Sequence, residues 1–472
     1  MSVLGLTCTR CDAQYPLGPM FFGCPACADG PDRGADGPGH DADGPGSGAD
    51  DPERSADGPG HDADGTGHGA DNPDRGTHAP EHGAEGTGRG AAALTVTYDY
   101  QAIAADLNVE NWNRAGHGIW RFDALLPIRD PADQVSLGEG NTALVRPRKV
   151  CEATGLSNLF IKNETTNPTW AFKDRFHASS VSMAKSLGFS RITASTTGNH
   201  GASAAAYAAA AEMDSCIILC HPESSMLQRD MIALYGGHAF VLENRFKYLD
   251  TLIRDHGYYP STTMTPMPTG TPYGIEGYKT IAFEIYVQLG GHVPDRMFCP
   301  IAAGDALFGP WKGFNEMRLL DLSDRNPVMH GVQPAGCNPY VQSFQQGRRD
   351  VIVHPDPSSI ALSIRDDTGG PSALRAIYDS GGDATDVTED EIIEAVRLLA
   401  RSGFLVEPSS AASVAGAIKA ARAGRLAPEE TVVCLVTGSG AKWPEVMAEL
   451  SSREAPIEPM WDEIKARAGL GD

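Results

Sequence analysis

From about residue 150 onward the sequence alternates between short β-branched runs and longer stretches of helical composition. This alternation restricts the fold more than any other feature. "RITAS" (191–195), "CIILC" (216–220) and "AFVLE" (239–243) read as strands. "GASAAAYAAAAEM" (201–213) and "SMLQRDMIALYGG" (225–237) between them read as helices, the second stopped by Gly-Gly. "RMFCPIAA", "EIIEAVRLLARSG" and "TVVCLVTGSG" continue the rhythm. Strand, helix, strand at this spacing predicts α/β architecture with parallel sheets covered by helices. A chain of 472 residues is long enough for two such domains. In such folds ligands sit where strands open into helices at their carboxyl ends.

Residues 28–92 break this pattern. They hold no aliphatic side chain larger than alanine and no aromatic, and "ADGPGHDADG" occurs at both 35–44 and 56–65. So little apolar surface cannot offset the entropy of ordering, and the segment reads as a disordered, solvated insertion. It carries roughly half of a formal net charge of -23. That acidity repels nucleic acid and anionic membranes, which excludes both as partners. It also fits a chain adapted to high salt, a hypothesis that poor stability of the purified protein in molar salt would contradict. No apolar run reaches membrane-spanning length and no basic-then-apolar leader opens the chain, so a cytoplasmic protein is expected.

Four of the ten cysteines cluster as "CTRC" (8–11) and "CPAC" (24–27). Two such knuckles place Cys8, Cys11, Cys24 and Cys27 to surround one zinc tetrahedrally, and a closed shell of four thiolates is structural rather than catalytic. "LTVTYDY" (94–100) reads as the strand that finishes this zinc ribbon, with the acidic repeat inserted before it. Cys216, Cys220 and Cys434 lie in apolar runs and read as reduced core residues.

"NPTWAFKDRF" (167–176) places Lys173 in the first turn of a helix whose apolar positions are Phe172, Phe176, Met183 and Leu187. The positive end of the helix dipole and the neighbours Trp170 and Phe172 both disfavour an ammonium there. A neutral amine is the form that condenses with an aldehyde. "STTGNHGAS" (195–203) joins hydroxyls, glycine and helix amides into a carboxylate site, with the Asn199 amide available to a phenolic oxygen. In "TGSG" (437–440) the Thr437 hydroxyl can meet a pyridine nitrogen. "AAGDALFGPWKGF" (302–314) has the small residues that let backbone amides approach a phosphate.

"NPTWAFKDR", "GNHGASAAAYAA", "EPSSAAS" and "TGSG" together resemble the fold type II pyridoxal-phosphate enzymes. The cysteine knuckles, "WRFDALLP" (120–127), "SLGEGNTALV" (136–145), "EGYKTIAFEI" (276–285) and "GVQPAGCNPY" (331–340) narrow the resemblance to archaeal-type threonine synthases. The resemblance implies the tryptophan synthase β-like arrangement of two parallel-sheet domains behind a zinc ribbon. The implied division is knuckles at 1–27, insertion at 28–92, ribbon strand and first part of the large domain at 93–176, small domain at 177–285, and the rest of the large domain at 286–472. Lys173 is implied to carry pyridoxal phosphate and shuttle protons. Asn199 is implied at the ring oxygen, Thr437 at the ring nitrogen, and Ala303, Gly304, Asp305, Ala306 and Leu307 at the cofactor phosphate. Thr196, Thr197 and His200 are implied at the substrate carboxylate. Arg175, Lys279 and Lys312 are candidates for holding a leaving phosphate.

The chain departs from that family's pattern at Trp170-Ala171, where Gly-Ser is usual, at His200, which serine and threonine dehydratases share, and at Asp305. The implied reaction converts O-phosphohomoserine and water to threonine and phosphate. A threonine or serine dehydratase, a β-replacement enzyme using phosphoserine and a non-catalytic binding paralogue share these motifs. The expected partners are an amino-acid substrate and, at most, a second copy in a homodimer.

Overall fold

The computed structural model describes residues 3–28, 92–113, 118–264, 269–451 and 461–469. The repeat-bearing insertion lies outside the described residues except for its ends, Ala28 and Ala92. Three antiparallel strands form the amino-terminal sheet: β1 (Val3–Cys8), β2 (Gln14–Tyr15) and β3 (Leu94–Tyr98), in the order β2-β1-β3. Along β3 the sequence LTVTY alternates buried and half-buried positions, the period-2 signature of a strand with one face on a core.

Besides a short antiparallel pair, Thr263–Met264 with Thr269–Gly270, the strands that follow are β4 (Leu144–Val145), β5 (Leu159–Asn163), β6 (Arg191–Thr196), β7 (Ser215–Cys220), β8 (His238–Val241), β9 (Tyr259–Pro260), β10 (Arg296–Pro300), β11 (Val328–Pro334), β12 (Asp383–Val387) and β13 (Val432–Val436). They make two sheets. The larger has the order β12-β11-β10-β13-β5-β4 and is parallel except for the antiparallel edge strand β4. The smaller, β8-β7-β6-β9, is parallel throughout. All five residues of β13, VVCLV, are buried, which is why that run shows no polar alternation: helices cover both faces of a central parallel strand.

Six helices matter for the site: α1 (Lys173–Ser186), α2 (Asn199–Ala210), α3 (Arg245–Arg254), α4 (Pro272–Gln288), α5 (Asp305–Leu319) and α6 (Pro408–Arg422). Helix α4 lies between α1 and α5. It approaches α1 so closely that a Cβ on Gly277 would stand 1.8 Å from the Arg175 carbonyl oxygen, so no side chain fits at that crossing. One core runs from the amino-terminal sheet through α1 and α4 to both larger sheets. A second fills the far face of the large sheet under α6.

Candidate active site

A cavity of about 1000 Å³, including its open mouth, lies between the two larger sheets. Thr196 at the end of β6, Pro300 at the end of β10 and Thr437 just past β13 all line it. These are the carboxyl ends of three parallel strands, the position where such sheets bind ligands. An ion pair joins Arg365, in the segment before helix 371–379, to Glu223, in the loop after β7.

Lys173 is the first residue of α1 and faces this cavity. Two backbone bonds fix the turn before it: Phe172 N–H donates to the Thr437 carbonyl (2.8 Å) and Ser439 N–H to the Trp170 carbonyl (3.0 Å). The Lys173 Nζ lies 4.6 Å from the Phe172 ring centre and 5.7 Å from that of Tyr278, and makes no hydrogen bond or ion pair among the described residues. Burial pushes its ammonium below the ordinary lysine range, against the pull of Asp305, Asp366 and Glu407. Tyr278 on α4, rather than Trp170, is the second aromatic neighbour. Trp170 is 43 % exposed and adopts a left-handed backbone (φ 62°). Glycine adopts that conformation without strain, which explains why the departure at this position is conspicuous.

Two helix amino termini open onto the cavity. At α5 the N–H groups of Gly304, Asp305 and Ala306 make no hydrogen bond among the described residues. Ala303 through Ala306 line the cavity, and Gly304 turns the chain with φ 103°. A Cβ there would meet Tyr340 Oη at 2.5 Å and Ala373 Cβ at 2.7 Å. At α2 the N–H groups of Asn199 and His200 are likewise unsatisfied among the described residues, and the Thr197 hydroxyl beside them is unbonded. Unsatisfied amides at a helix start attract anions, and here two sets face one space. The Thr196 hydroxyl is spent on the turn itself, accepting from the N–H groups of Gly198 (2.8 Å) and Gly201 (2.9 Å).

Asp305 lines the cavity, and one of its oxygens accepts from Gly270 N–H (2.8 Å). Burial pushes its carboxyl up to about 6, partly offset by Gly270 N–H and Lys173. The Asn199 amide is committed in this conformation: Nδ2 donates to both Glu407 oxygens (3.0 and 2.8 Å) and Oδ1 accepts from Gln228 Nε2 (3.1 Å). Trp443 Nε1 donates to the same Glu407 carboxylate (2.6 Å). Thr437 lines the cavity, and its Oγ1 lies 2.9 Å from Ser410 Oγ behind it. His200 Nε2–H donates to the Ser261 carbonyl (2.8 Å), and burial holds its ring at about 3, so it faces the cavity neutral.

Three expected cations lie elsewhere. Arg175 is fully buried with its guanidinium clamped by Glu164 (2.7 and 2.9 Å) and Glu284 (2.9 and 2.7 Å), and it does not line the cavity. Lys279 is tied to Glu276 and Glu316, and Lys312 to Glu276, to Thr95 Oγ1 (3.0 Å) and to the Val96 carbonyl (2.7 Å) of β3. A buried cation needs a counter-charge, and each of these found its partner inside the protein. Leu307 is also corrected: its side chain is buried away from the cavity and its N–H donates to the Gly304 carbonyl (3.1 Å). In their place the structure brings in Glu407, Asp366 and Arg245, none of which the sequence reading had placed at the site. Glu407 could have been found, because it opens the "EPSSAAS" motif. Arg245 carries no local signal.

At the amino terminus the four sulfurs of Cys8, Cys11, Cys24 and Cys27 all lie within 4.8 Å of one another, with Cys8–Cys27 and Cys11–Cys24 both at 3.7 Å. A regular tetrahedron with metal–sulfur bonds of about 2.3 Å has edges of about 3.8 Å, which these two separations match.

Residues 135–438 match the family described as pyridoxal-phosphate dependent enzyme. The threonine synthase of Methanocaldococcus jannaschii is 37% identical over 368 residues, 77% of this chain and 90% of that protein. The threonine synthase of Synechocystis is 33% identical over 332 residues, 70% of this chain and 84% of that protein. Among solved structures, a fungal L-serine ammonia-lyase from Rhizomucor miehei superposes with a TM-score of 0.58 at 20% identity, covering 67% of this chain and 99% of that one. The processed threonine deaminase isoform 2 of Solanum lycopersicum gives 0.57 at 19%, covering 72% and 96%; at this identity both show the fold alone. With a lone buried amine facing two helix amino termini, and with these relatives, the chain belongs to the pyridoxal-phosphate-dependent enzyme family, as a relative of the archaeal threonine synthases.

Proposed function

We propose that the protein is a threonine synthase, converting O-phosphohomoserine and water to threonine and phosphate. The observation that carries this reading is the Lys173 amine, held in apolar surroundings and facing two separate sets of unsatisfied helix amides. When bound, pyridoxal phosphate supplies the electron sink that stabilises negative charge on the substrate carbons. Lys173 is the residue to hold it covalently, and its Nζ then accepts and returns the protons moved at those carbons. The Gly304, Asp305 and Ala306 amides are placed to hold the cofactor phosphate. The Thr437 hydroxyl is the partner for the ring nitrogen, and being neutral it leaves it unprotonated. Asn199 serves the ring oxygen once its Nδ2 turns from Glu407. The Asn199 and His200 amides with the Thr197 hydroxyl bind the substrate carboxylate.

Four cysteine sulfurs within 4.8 Å of one another also support a structural zinc. The net change in the main reaction is breakage of the γ-carbon–oxygen bond with release of phosphate, gain of a proton at the γ-carbon, and replacement of one β-hydrogen by the hydroxyl of water, whose remaining proton leaves on the phosphate. Incubation with O-phosphohomoserine should release phosphate and threonine in equal amounts. A dehydratase reading rests on His200 in the carboxylate loop. If threonine yields 2-oxobutanoate while O-phosphohomoserine yields nothing, that second reading replaces the first.

A further inference from the structure

The amino end of α5 receives two anions. Gly304, Asp305 and Ala306 offer their N–H groups to the cofactor phosphate, yet the middle residue of the three brings a carboxyl group into the same cavity. The helix end stabilises one negative charge, and a second beside it repels the first. We propose that Asp305 is protonated when pyridoxal phosphate is bound and donates a hydrogen bond to the cofactor phosphate, so that binding takes up one proton from solvent. This rests on the placing of the cofactor phosphate at α5 and holds for either substrate reading.

Asp305 is the first residue of α5, and one of its oxygens is anchored by Gly270 N–H (2.8 Å) on the short strand Thr269–Gly270. That bond keeps the carboxyl inside the site. No cation is paired with it among the described residues; the amine that faces it belongs to Lys173, which the cofactor consumes. The other titratable groups around it bring no positive charge. Tyr278 on α4 and Tyr340 on helix 339–345 are phenols that burial and this carboxylate hold neutral, and Asp366 adds a second acid. Tyr340 Oη is already spent on the Ala303 and Gly370 carbonyls (2.6 and 2.7 Å). An ionised carboxylate and a phosphate oxygen are both acceptors, whereas a protonated carboxyl is a donor that the phosphate can use. Burial raises this carboxyl before any cofactor arrives, and a doubly charged neighbour raises it further.

The probe is pyridoxine phosphate, which has an alcohol where the cofactor has its aldehyde and so binds without a covalent bond to Lys173. Pyridoxine, which lacks the phosphate, is the control. Both are titrated by calorimetry into the cofactor-free full chain and into Asp305→Asn, from about pH 6.5 to about pH 8.5. With a carboxyl at about 6 that must be protonated in the complex, wild-type affinity for pyridoxine phosphate should fall about tenfold per pH unit, about 75-fold across this window. D305N should change less than about threefold, because the second ionisation of the ligand phosphate, near about 6, is common to both proteins. Buffers of different ionisation enthalpy should show about one proton taken up by the wild type at pH 7.5 and none in the variant, while phosphorus NMR shows the bound phosphate as a dianion. The wild-type slope and proton count decide the matter even if D305N does not fold. A wild-type affinity as flat as that of D305N would mean that the Lys173 amine balances the carboxylate, and a monoanionic bound phosphate would move the proton off Asp305; either result overturns the proposal. Equal affinity for pyridoxine and its phosphate would remove the cradle itself. If the proton uptake is found but O-phosphohomoserine yields no threonine, the substrate reading fails while the protonated carboxyl stands.

Discussion

Replacing Arg175 by Gln separates a structural cation from a substrate-binding one. Arg175 makes four charge-assisted bonds to two fully buried carboxylates. After its removal Glu284 keeps Lys162 (2.7 Å) and Arg121 (3.0 Å), but Glu164 keeps only the Thr142 hydroxyl (2.6 Å) and the Asn167 amide (2.8 Å). Stranding one buried charge in this way costs about 3–5 kcal/mol, and a glutamine amide that can still donate to Glu164 places the variant near the lower end. The pH dependence has a definite sign. In the wild type burial raises both glutamates, but Arg175 outweighs it and holds them below the usual carboxylate range. Their stabilisation is therefore complete above the unfolded value of about 4.3 and is lost as pH falls through the folded values. In the variant burial prevails at Glu164, so its cost is present at neutral pH and fades as pH falls toward about 4.3. Urea unfolding of both proteins at pH 7 and pH 5 measures the difference, which should be about 3–5 kcal/mol at pH 7 and smaller at pH 5. Unaltered stability together with a raised KM for O-phosphohomoserine would refute this account and return Arg175 to the substrate.

Asp305→Asn should stabilise the cofactor-free protein at pH 7 by up to about 3 kcal/mol, because a carboxyl moved from 3.8 to about 6 opposes folding once ionised. That cost is absent below about pH 3.8 and complete above about 6, so wild-type stability should fall relative to the variant across this window, read by urea midpoints. The same variant should bind pyridoxal phosphate more tightly at pH 7, measured by equilibrium dialysis, since one negative charge leaves the phosphate cradle. Purified protein should contain one zinc per chain by elemental analysis. Stripping it should lower the thermal midpoint of the whole protein, because the amino-terminal sheet is bonded to the body through Lys312 to the Val96 carbonyl and Tyr98 to Glu276 (2.6 Å). A midpoint unmoved by chelation would show that the thiols alone hold the sheet.

The alternation of strands and helices was legible because each parallel strand is a short apolar run with a clear stop. Lys173 was legible because the first turn of α1 and its aromatic neighbour Phe172 are adjacent in sequence. Tyr278 was not, since it reaches the amine from a helix a hundred residues away. The misassigned cations show the converse. Lys279 has Glu276 one turn before it and Lys312 has Glu316 one turn after it, a spacing that puts each pair on one helix face and could have announced internal ion pairs. Arg175 had no such local clue, because Glu164 precedes its helix and Glu284 lies on α4. Arg245 was invisible for the same reason: only the folding of α3 against β6 brings it to the cavity.

The central claim is that one buried amine carries the cofactor. Purified protein supplied with pyridoxal phosphate is reduced with borohydride, digested and sequenced by mass spectrometry. A single reduced pyridoxyl group on Lys173, absent from Lys173→Ala, is the predicted result; a label on another lysine, or none on colourless protein, would contradict it.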